Sequence, residues 1–144
     1  MKSAKLIPIL LVTLALGFYG CKKSNPAPQN LLTYTLNGNK YSLPSPQVTI
    51  NGGDLHMYGR QGDLVENIIL SNYQKGSHDV LADGQIILDV DNTEAGMCNF
   101  TQGTVVVSSL TQTHISGTFS GTVVTYINNS PVPVTGTFDA DIPQ

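Results

Sequence analysis

The chain has no tryptophan and little positive charge, with only seven Lys or Arg among its 144 residues. Four of those lysines, at positions 2, 5, 22 and 23, precede Leu31, so the rest of the chain carries three basic side chains against ten acidic ones. A nucleic-acid surface needs a basic patch that neutralises phosphates. The charge balance therefore argues against a nucleic-acid partner. The length suits one small domain and is too short for a nucleotide-fold enzyme or a membrane protein with many spans.

The sequence also lacks an apolar run long enough to cross a bilayer. Its one extended run, from Leu6 to Phe18 behind Lys2 and Lys5, has 13 residues, whereas a membrane-spanning helix needs roughly 20. A short apolar run behind basic residues is typical of a secretory signal. We expect residues 1–20 to be a signal peptide that is removed from the mature protein.

The signal ends in Gly20-Cys21, and this ending resembles a bacterial lipobox. The resemblance implies that the Cys21 thiol is diacylated and that its amine takes a third chain, although Phe18 and Tyr19 depart from the lipobox pattern. Ordinary cleavage near residues 15–17 is the alternative and would leave Cys21 as a plain thiol. Two or three acyl chains make release negligible, so lipidation predicts the membrane as a partner through Cys21.

Only ten residues separate the signal from the first strand-like pattern. Residues 22–30 are polar and contain Pro26 and Pro28, so they cannot bury enough apolar surface to become ordered. We expect residues 21–30 to be the lipidated cysteine and a flexible tether, and residues 31–144 to be the folded domain.

Short alternating runs follow from Leu31, separated every eight to twelve residues by Gly, Asn or Asp, which is typical of antiparallel all-β domains. They predict a single β sandwich or barrel of nine to ten strands. Asn37-Gly38 predicts a tight hairpin, because both residues tolerate the positive φ of a type I′ turn. Alternation assigns inward-facing side chains to several strands and turns the adjacent acids to water. The predicted inward residues are Val48, Ile50, Leu55, Met57, Ile86, Leu88, Val90, Val105 and Val107, and the predicted outward acids are Asp89 and Asp91.

Two further segments carry patterns of their own. Residues 63–73 fit a strand, with a helix that Asp63 and Glu66 would cap as the alternative. Residues 115–123 and 134–142 form a repeat in which Phe and Gly share one face, which predicts a long antiparallel hairpin with rings lying across bare backbone.

The lipobox cysteine, the proline-containing tether, the Asn-Gly hairpin and the segments Ile-Ser-Gly-Thr-Phe and Val-Thr-Gly-Thr-Phe together resemble small Bacteroidetes-type envelope lipoproteins of uncharacterised function. The resemblance spans the whole chain. It implies an antiparallel β sandwich or barrel and names no catalytic residue. In such families acidic residues just after the lipidated cysteine often mark surface export. Lys22 and Lys23 occupy that place here, which favours the periplasmic face of the outer membrane over the cell surface.

Few residues point to chemistry. Asp89, Asp91 and Glu94 could hold a cation, but the calcium-loop pattern of Gly at position six and Glu at position twelve is absent, which favours a polar turn. Cys98 is expected to be a small buried hydrophobe, with a reactive thiol as the alternative. Tyr58 and Tyr126 fall on the polar faces of their strands and could contact a ligand, with cross-strand packing as the alternative.

No nucleophile, metal-ligand spacing or cofactor motif stands out, so the sequence predicts a protein that is not an enzyme and needs no cofactor. We expect a lipid-anchored binding or interaction module whose partner is an envelope protein, a glycan or a small ligand. A lipocalin-like barrel that carries a small apolar ligand is the alternative, and a hydrolase with unrecognised carboxylates is a third reading.

Overall fold

The computed structural model describes residues 29–71, 73–89, 97–125 and 130–144, and these residues are all-β with no helix. No helix in these ranges is long and apolar enough to cross a membrane. Cys21, Val90, Asp91, Glu94 and Tyr126 lie outside the described residues. Ten strands follow one another along the chain: β1 Leu31–Leu36, β2 Asn39–Pro44, β3 Gln47–Asn51, β4 Asp54–Gln61, β5 Leu64–Ser71, β6 Gly76–Asp79, β7 Gly84–Asp89, β8 Met97–Leu110, β9 His114–Thr125 and β10 Val132–Asp141.

The strands form one antiparallel sheet that curls into a half-barrel. Its order is β2-β1-β10-β9-β8-β7-β5-β4-β3, and β6 pairs with β8 beside this path. In the part of the chain that the structure describes, β2 and β3 end the ladder, and curling brings the inner face of β2 onto β4. Leu43 of β2 packs on Gly59 of β4, since a Cβ placed on Gly59 would lie 3.1 Å from that of Leu43. The core fills the space that the curl encloses.

The predicted Asn37-Gly38 hairpin is confirmed. Asn37 has φ of 49° and Gly38 has φ of 80°. Leu36 and Asn39, on either side of this turn, are direct cross-strand partners. Two successive positive φ values match the twist of the strands on either side. Residues 64–71 form β5, so the strand interpretation of this segment is confirmed and the helix alternative is wrong.

Two predictions of side-chain direction are wrong. Ile50 is predicted to face the core but is 50% exposed, whereas Val48 on the same face is 4% exposed. Ile50 lies beside the turn at the end of β3, and among the described strands β3 has β4 as its single ladder partner. Asp89 was expected to face water but is only 8% exposed. Asp89 lies on a central strand, where Val65 and Met97 flank it from both neighbouring strands. Alternation predicts the face of a residue, but the position of its strand in the sheet decides how much of that residue water reaches.

The repeat forms the predicted long hairpin of β9 and β10. Phe119 lies directly across from Gly136, and Phe138 lies across from Gly117. Both rings are buried, and a Cβ built on Gly136 or on Gly117 would overlap the ring opposite it. Each aromatic ring therefore covers bare backbone on the next strand, which fixes the register of the hairpin.

Gly136→Ala should destabilise the protein by about 2 kcal/mol, because its methyl group would push the Phe119 ring out of its site. Urea unfolding of the full-length protein measures the change. Thr135→Ala, the exposed neighbour on the same strand, is the control and should change the free energy of unfolding by less than about 0.5 kcal/mol. Equal effects of the two substitutions would contradict this account of the register.

Candidate functional site

The structure places only part of the predicted site. Tyr58 lies on the outer face of β4 between Gln47 and Asn67, with 37% of its surface exposed. Tyr126, its predicted companion, lies outside the described residues. Cys98 is fully buried, as expected of a small hydrophobe. Tyr58 is therefore available at the surface, while its pairing with a second ring stays a prediction.

The three acids that could have held a cation lie largely outside the described residues, so the polar-turn interpretation of this segment stays a prediction. Asp89 is buried, Asp91 and Glu94 lie outside the described ranges, and no group of three His, Cys, Asp or Glu within those ranges could hold a metal. The nearby Asp79 has a structural role. Its Oδ1 accepts backbone N–H bonds from Leu81 at 2.8 Å and Ala82 at 3.0 Å, which shape the turn after β6.

A fork in the sheet produces a surface cleft beside this turn. β6 pairs with residues 104–107 of β8, and β7 pairs with residues 97–99 of the same strand. Residues 100–103 lie between the two pairings, where the Val80 N–H donates to the Gly103 carbonyl oxygen at 3.0 Å. The β8–β9 register also shifts between Phe100 and Gln102. Such bulges are common next to functional sites.

The cleft at the fork has a volume of about 530 Å³, within the range of small-molecule sites. Buried apolar side chains form its inner part, and the exposed Gln85 and half-buried Asn99 supply amides. Leu81 lies at its rim with 61% of its surface exposed. The lining residues are Val80, Leu81, Gly84, Gln85, Ile86, Asn99 and Phe100. Such a lining suits a ligand that has both an apolar face and hydrogen-bonding groups.

A second set of polar groups lies inside the half-barrel. Glu66 of β5 is completely buried, and neither of its carboxyl oxygens has a hydrogen-bond partner among the described residues. The Tyr34 hydroxyl of β1 is buried and unpartnered as well. Native proteins rarely bury polar atoms without partners, and such atoms often mark functional positions.

Burial raises the pKa of Glu66 well above its usual range, so this carboxyl stays protonated under conditions in which an exposed glutamate is ionised. Burial also raises the pKa of the Tyr34 phenol, and the nearby charge of Glu66 adds to that effect. The ring of Tyr41 stacks on Tyr34 at a centroid distance of 4.8 Å. Cys98 and Asp89 contribute smaller electrostatic effects that also raise the pKa of Tyr34.

Sequence reasoning missed Glu66, although the signal was available. Once residues 64–71 form a strand, Glu66 shares a face with Ile68 and Leu70, both of which are buried. Tyr34 shares a face with Leu32 and Leu36 in the same way. Reading Glu66 only as a helix cap concealed this placement.

The chain enters the domain through a third polar cluster. Asp139 accepts backbone N–H bonds from Gln29 at 2.7 Å and Asn30 at 3.1 Å. The Asn30 side chain donates to Asp141 at 2.6 Å and accepts its backbone N–H at 2.9 Å. His114 Nε2 lies 3.6 Å from Asp139 Oδ2, and His114 Nδ1 lies 3.3 Å from Asp141 Oδ1. These contacts, here named the entry clamp, hold residues 29–30 against the end of β10.

Comparison with known proteins gives no relative: no family model matches the chain, and neither a curated protein nor a solved structure matches it. The assignment of function therefore rests on the sequence and the geometry.

Glu66→Gln should make stability less dependent on pH. Above the pKa of an unfolded glutamate the unfolded chain ionises while the folded chain keeps its proton. The stability present at lower pH is therefore lost as the pH rises toward the folded-state pKa, by at most about 1.4 kcal/mol per pH unit. Gln cannot ionise, so the free energy of unfolding of the variant should rise relative to that of wild type as the pH increases from 4.5 to 8.

Urea unfolding of both full-length proteins across this pH range measures the gain. Asn67→Gln is a matched control, because it alters the next residue of β5 without changing a titratable group. Its difference from wild type should stay constant with pH. A constant difference between wild type and the Glu66→Gln variant would show that Glu66 titrates alike in the folded and unfolded states.

Proposed function

We propose that this protein is a lipid-anchored module of the bacterial cell envelope that binds a partner without catalysing a reaction. Residues 1–21 support the anchor, since they combine an export signal with a lipobox-like ending at Cys21. Lys22 and Lys23 favour the periplasmic face of the outer membrane. The bound partner would be an envelope protein, a glycan or a small ligand.

The cleft at the fork of β6, β7 and β8 is the observation that carries the binding role. It combines exposed Leu81 with the amides of Gln85 and Asn99 over apolar side chains. Amides can bond to sugar hydroxyls or to peptide groups, and apolar surface packs against a sugar ring or a side chain. A glycan or an extended peptide therefore fits this lining better than a highly charged ligand.

The entry clamp supports this arrangement by fixing where the tether meets the domain. Residues 29–30 are held at the Leu31 end of β1, beside the last residues of β10. Because the ladder is antiparallel, the loops at residues 37–38 and 62–63, which follow β1 and β4, lie at the opposite end of the sheet. With Cys21 in the membrane, those loops would point away from the lipid surface.

The surroundings of two histidines support a role without catalysis. His78 Nε2 lies 2.7 Å from the Gln74 carbonyl oxygen, and His114 lies between Asp139 and Asp141 of the entry clamp. These partners are a carbonyl and two carboxylates, whereas nucleophilic catalysis needs a hydroxyl or thiol beside the base.

Lipidation can be tested by metabolic labelling with a radioactive fatty acid. The wild-type chain should incorporate label and remain in the membrane fraction after carbonate extraction. Cys21→Ser should incorporate none, because serine offers no thiol to the lipidating enzyme. Cys98→Ser is the matched control and should keep the label. Equal labelling of wild type and the Cys21→Ser variant would refute the anchor.

The binding role can be tested by NMR titration of the full-length protein with peptidoglycan fragments, envelope oligosaccharides and short peptides. A true ligand should perturb amide signals around Leu81, Gln85 and Asn99. Asn99→Ala should weaken its affinity about tenfold, the effect of losing one good hydrogen bond. Thr135→Ala, at an exposed position of β10 that does not line the cleft, should leave the affinity unchanged. Perturbations centred on Tyr58 would move the site to the predicted tyrosine surface.

The alternative function is a lipocalin-like carrier of a small apolar ligand, and the curled sheet is the observation that favours it. Its cargo would have to enter the half-barrel, where buried side chains from the described strands pack together. Saturable binding of one fluorescent fatty acid per chain, unaffected by Asn99→Ala, would favour the carrier over the cleft.

A further inference from the structure

Two strand segments border the cleft at the fork without pairing to each other. On β7, residues 84–86 pair with β5, and the ladder with β8 begins only at Ile87. On β8, residues 100–102 lie between Asn99, which pairs with β7, and Gly103, which bonds to Val80 after β6. Among the described strands, neither segment has a ladder partner on the side of the cleft. Two open strand edges therefore lie on either side of one cavity.

We infer that the cleft binds a neutral, extended segment of a partner polypeptide, which enters as an added strand between β7 and β8. The inference rests on the proposed binding role and names the class of partner for the same site. An open strand edge offers backbone donors and acceptors at the spacing of another extended chain. Because two edges border this cavity, one inserted segment can bond to the protein on both sides.

The opening follows from the two registers along β8. Residues 100–102 of β8 lie opposite residues 81–86, which connect the β6 and β7 ladders. Six residues cannot lie beside three in a regular ladder, so the excess must leave the sheet. The cleft is therefore a consequence of chain length and needs no ligand to form.

Hydrogen bonds in the turn at residues 80–83 hold the cleft open. The Asp83 N–H donates to the Asp79 carbonyl oxygen at 2.9 Å, and the Ser71 N–H donates to the Asp83 carbonyl oxygen at 2.8 Å. The turn is thereby fixed both to the end of β6 and to the end of β5. A site that is already open costs the incoming segment less free energy of ordering than one that must first be opened.

The open edges set the length of the segment. Three residues of a strand span about 10 Å, which is the extent of residues 100–102 on β8 and of residues 84–86 on β7. The cavity between them has a volume of about 530 Å³. A peptide of five residues can therefore place its central three in the cleft and leave one residue outside at each end.

The lining favours a peptide over a sugar. None of the described lining residues is charged, and Val80 and Ile86 are buried apolar side chains. Phe100, the one aromatic residue among them, is only 7% exposed. Its ring lies 2.8 Å from the place where a Cβ of Gly103 or Gly121 would be, so it covers backbone. A sugar would find little aromatic surface on which to pack.

The same lining predicts the character of the inserted residues. Successive side chains of a strand point to opposite faces. Those that point inward would meet the buried Val80 and Ile86, and those that point outward would lie near the amides of Gln85 and Asn99. A segment in which small apolar and small polar residues alternate therefore fits the cleft.

The test is an NMR titration of the full-length protein with the uncharged peptide acetyl-Thr-Val-Thr-Val-Thr-amide, whose residues favour the extended conformation. Binding should shift the amide signals of both walls, at residues 85–86 and 100–102, and slow their hydrogen exchange. The control peptide carries N-methyl groups on both valines. It keeps every side chain but loses the N–H donors of one edge, so its affinity should be at least about tenfold weaker.

A pair of protein variants tests the position of the peptide. Leu81 is 61% exposed at the rim of the cleft, so Leu81→Ser should leave the fold intact and weaken binding about fivefold. Val106→Ser is the matched control. Val106 is also an exposed apolar residue, at 38%, but it does not line the cleft, and its substitution should leave the affinity unchanged.

Equal affinities of the plain and N-methylated peptides would overturn strand insertion. Cleft signals that shift with oligosaccharides but not with the peptide would also overturn it, while leaving the proposed binding role of the cleft in place. Cleft signals that move with protein concentration alone would indicate a second copy of the chain as the occupant and contradict the inference. If no peptide or oligosaccharide shifts these signals, the proposed binding role itself is wrong.

Discussion

The fold depends on close contact between aromatic rings and bare backbone across neighbouring strands. Phe119 on Gly136 and Phe138 on Gly117 fix the register of β9 and β10. Register matters because a shift of one residue would turn every core side chain of a strand to the opposite face. The curl, the core and the position of the fork all depend on this pairing, since β8 and β1 flank the same two strands.

The half-barrel keeps two polar regions separate. The outer cleft lies where β8 has two partners in succession, so it results from a change in pairing along one long strand. The interior pair of Glu66 and Tyr34 results from side-chain direction, because both residues alternate with core residues. The cleft is open to solvent, whereas Glu66 and Tyr34 lie in a nearly dry environment in which each hydrogen bond contributes more.

Local features of the sequence predicted much of the fold. Asn37-Gly38 specifies its own turn, and the Phe-Gly repeat specifies its own hairpin. The exposure of Ile50 and the burial of Asp89 could not be predicted, because both depend on which strands become neighbours and which strand ends the ladder. The cleft could not be predicted for the same reason. It requires two consecutive strands, β6 and β7, to share one edge of the later strand β8.

The entry clamp has a mechanical consequence. It joins residues 29–30 to β10 at the start of β1, and β1 is paired on both sides, with β2 and with β10. Ladder hydrogen bonds run perpendicular to the strands. A pull on the tether along β1 would therefore load both ladders in shear, and their bonds would share the load together instead of opening one after another. The domain is built to resist force from the side on which its chain begins.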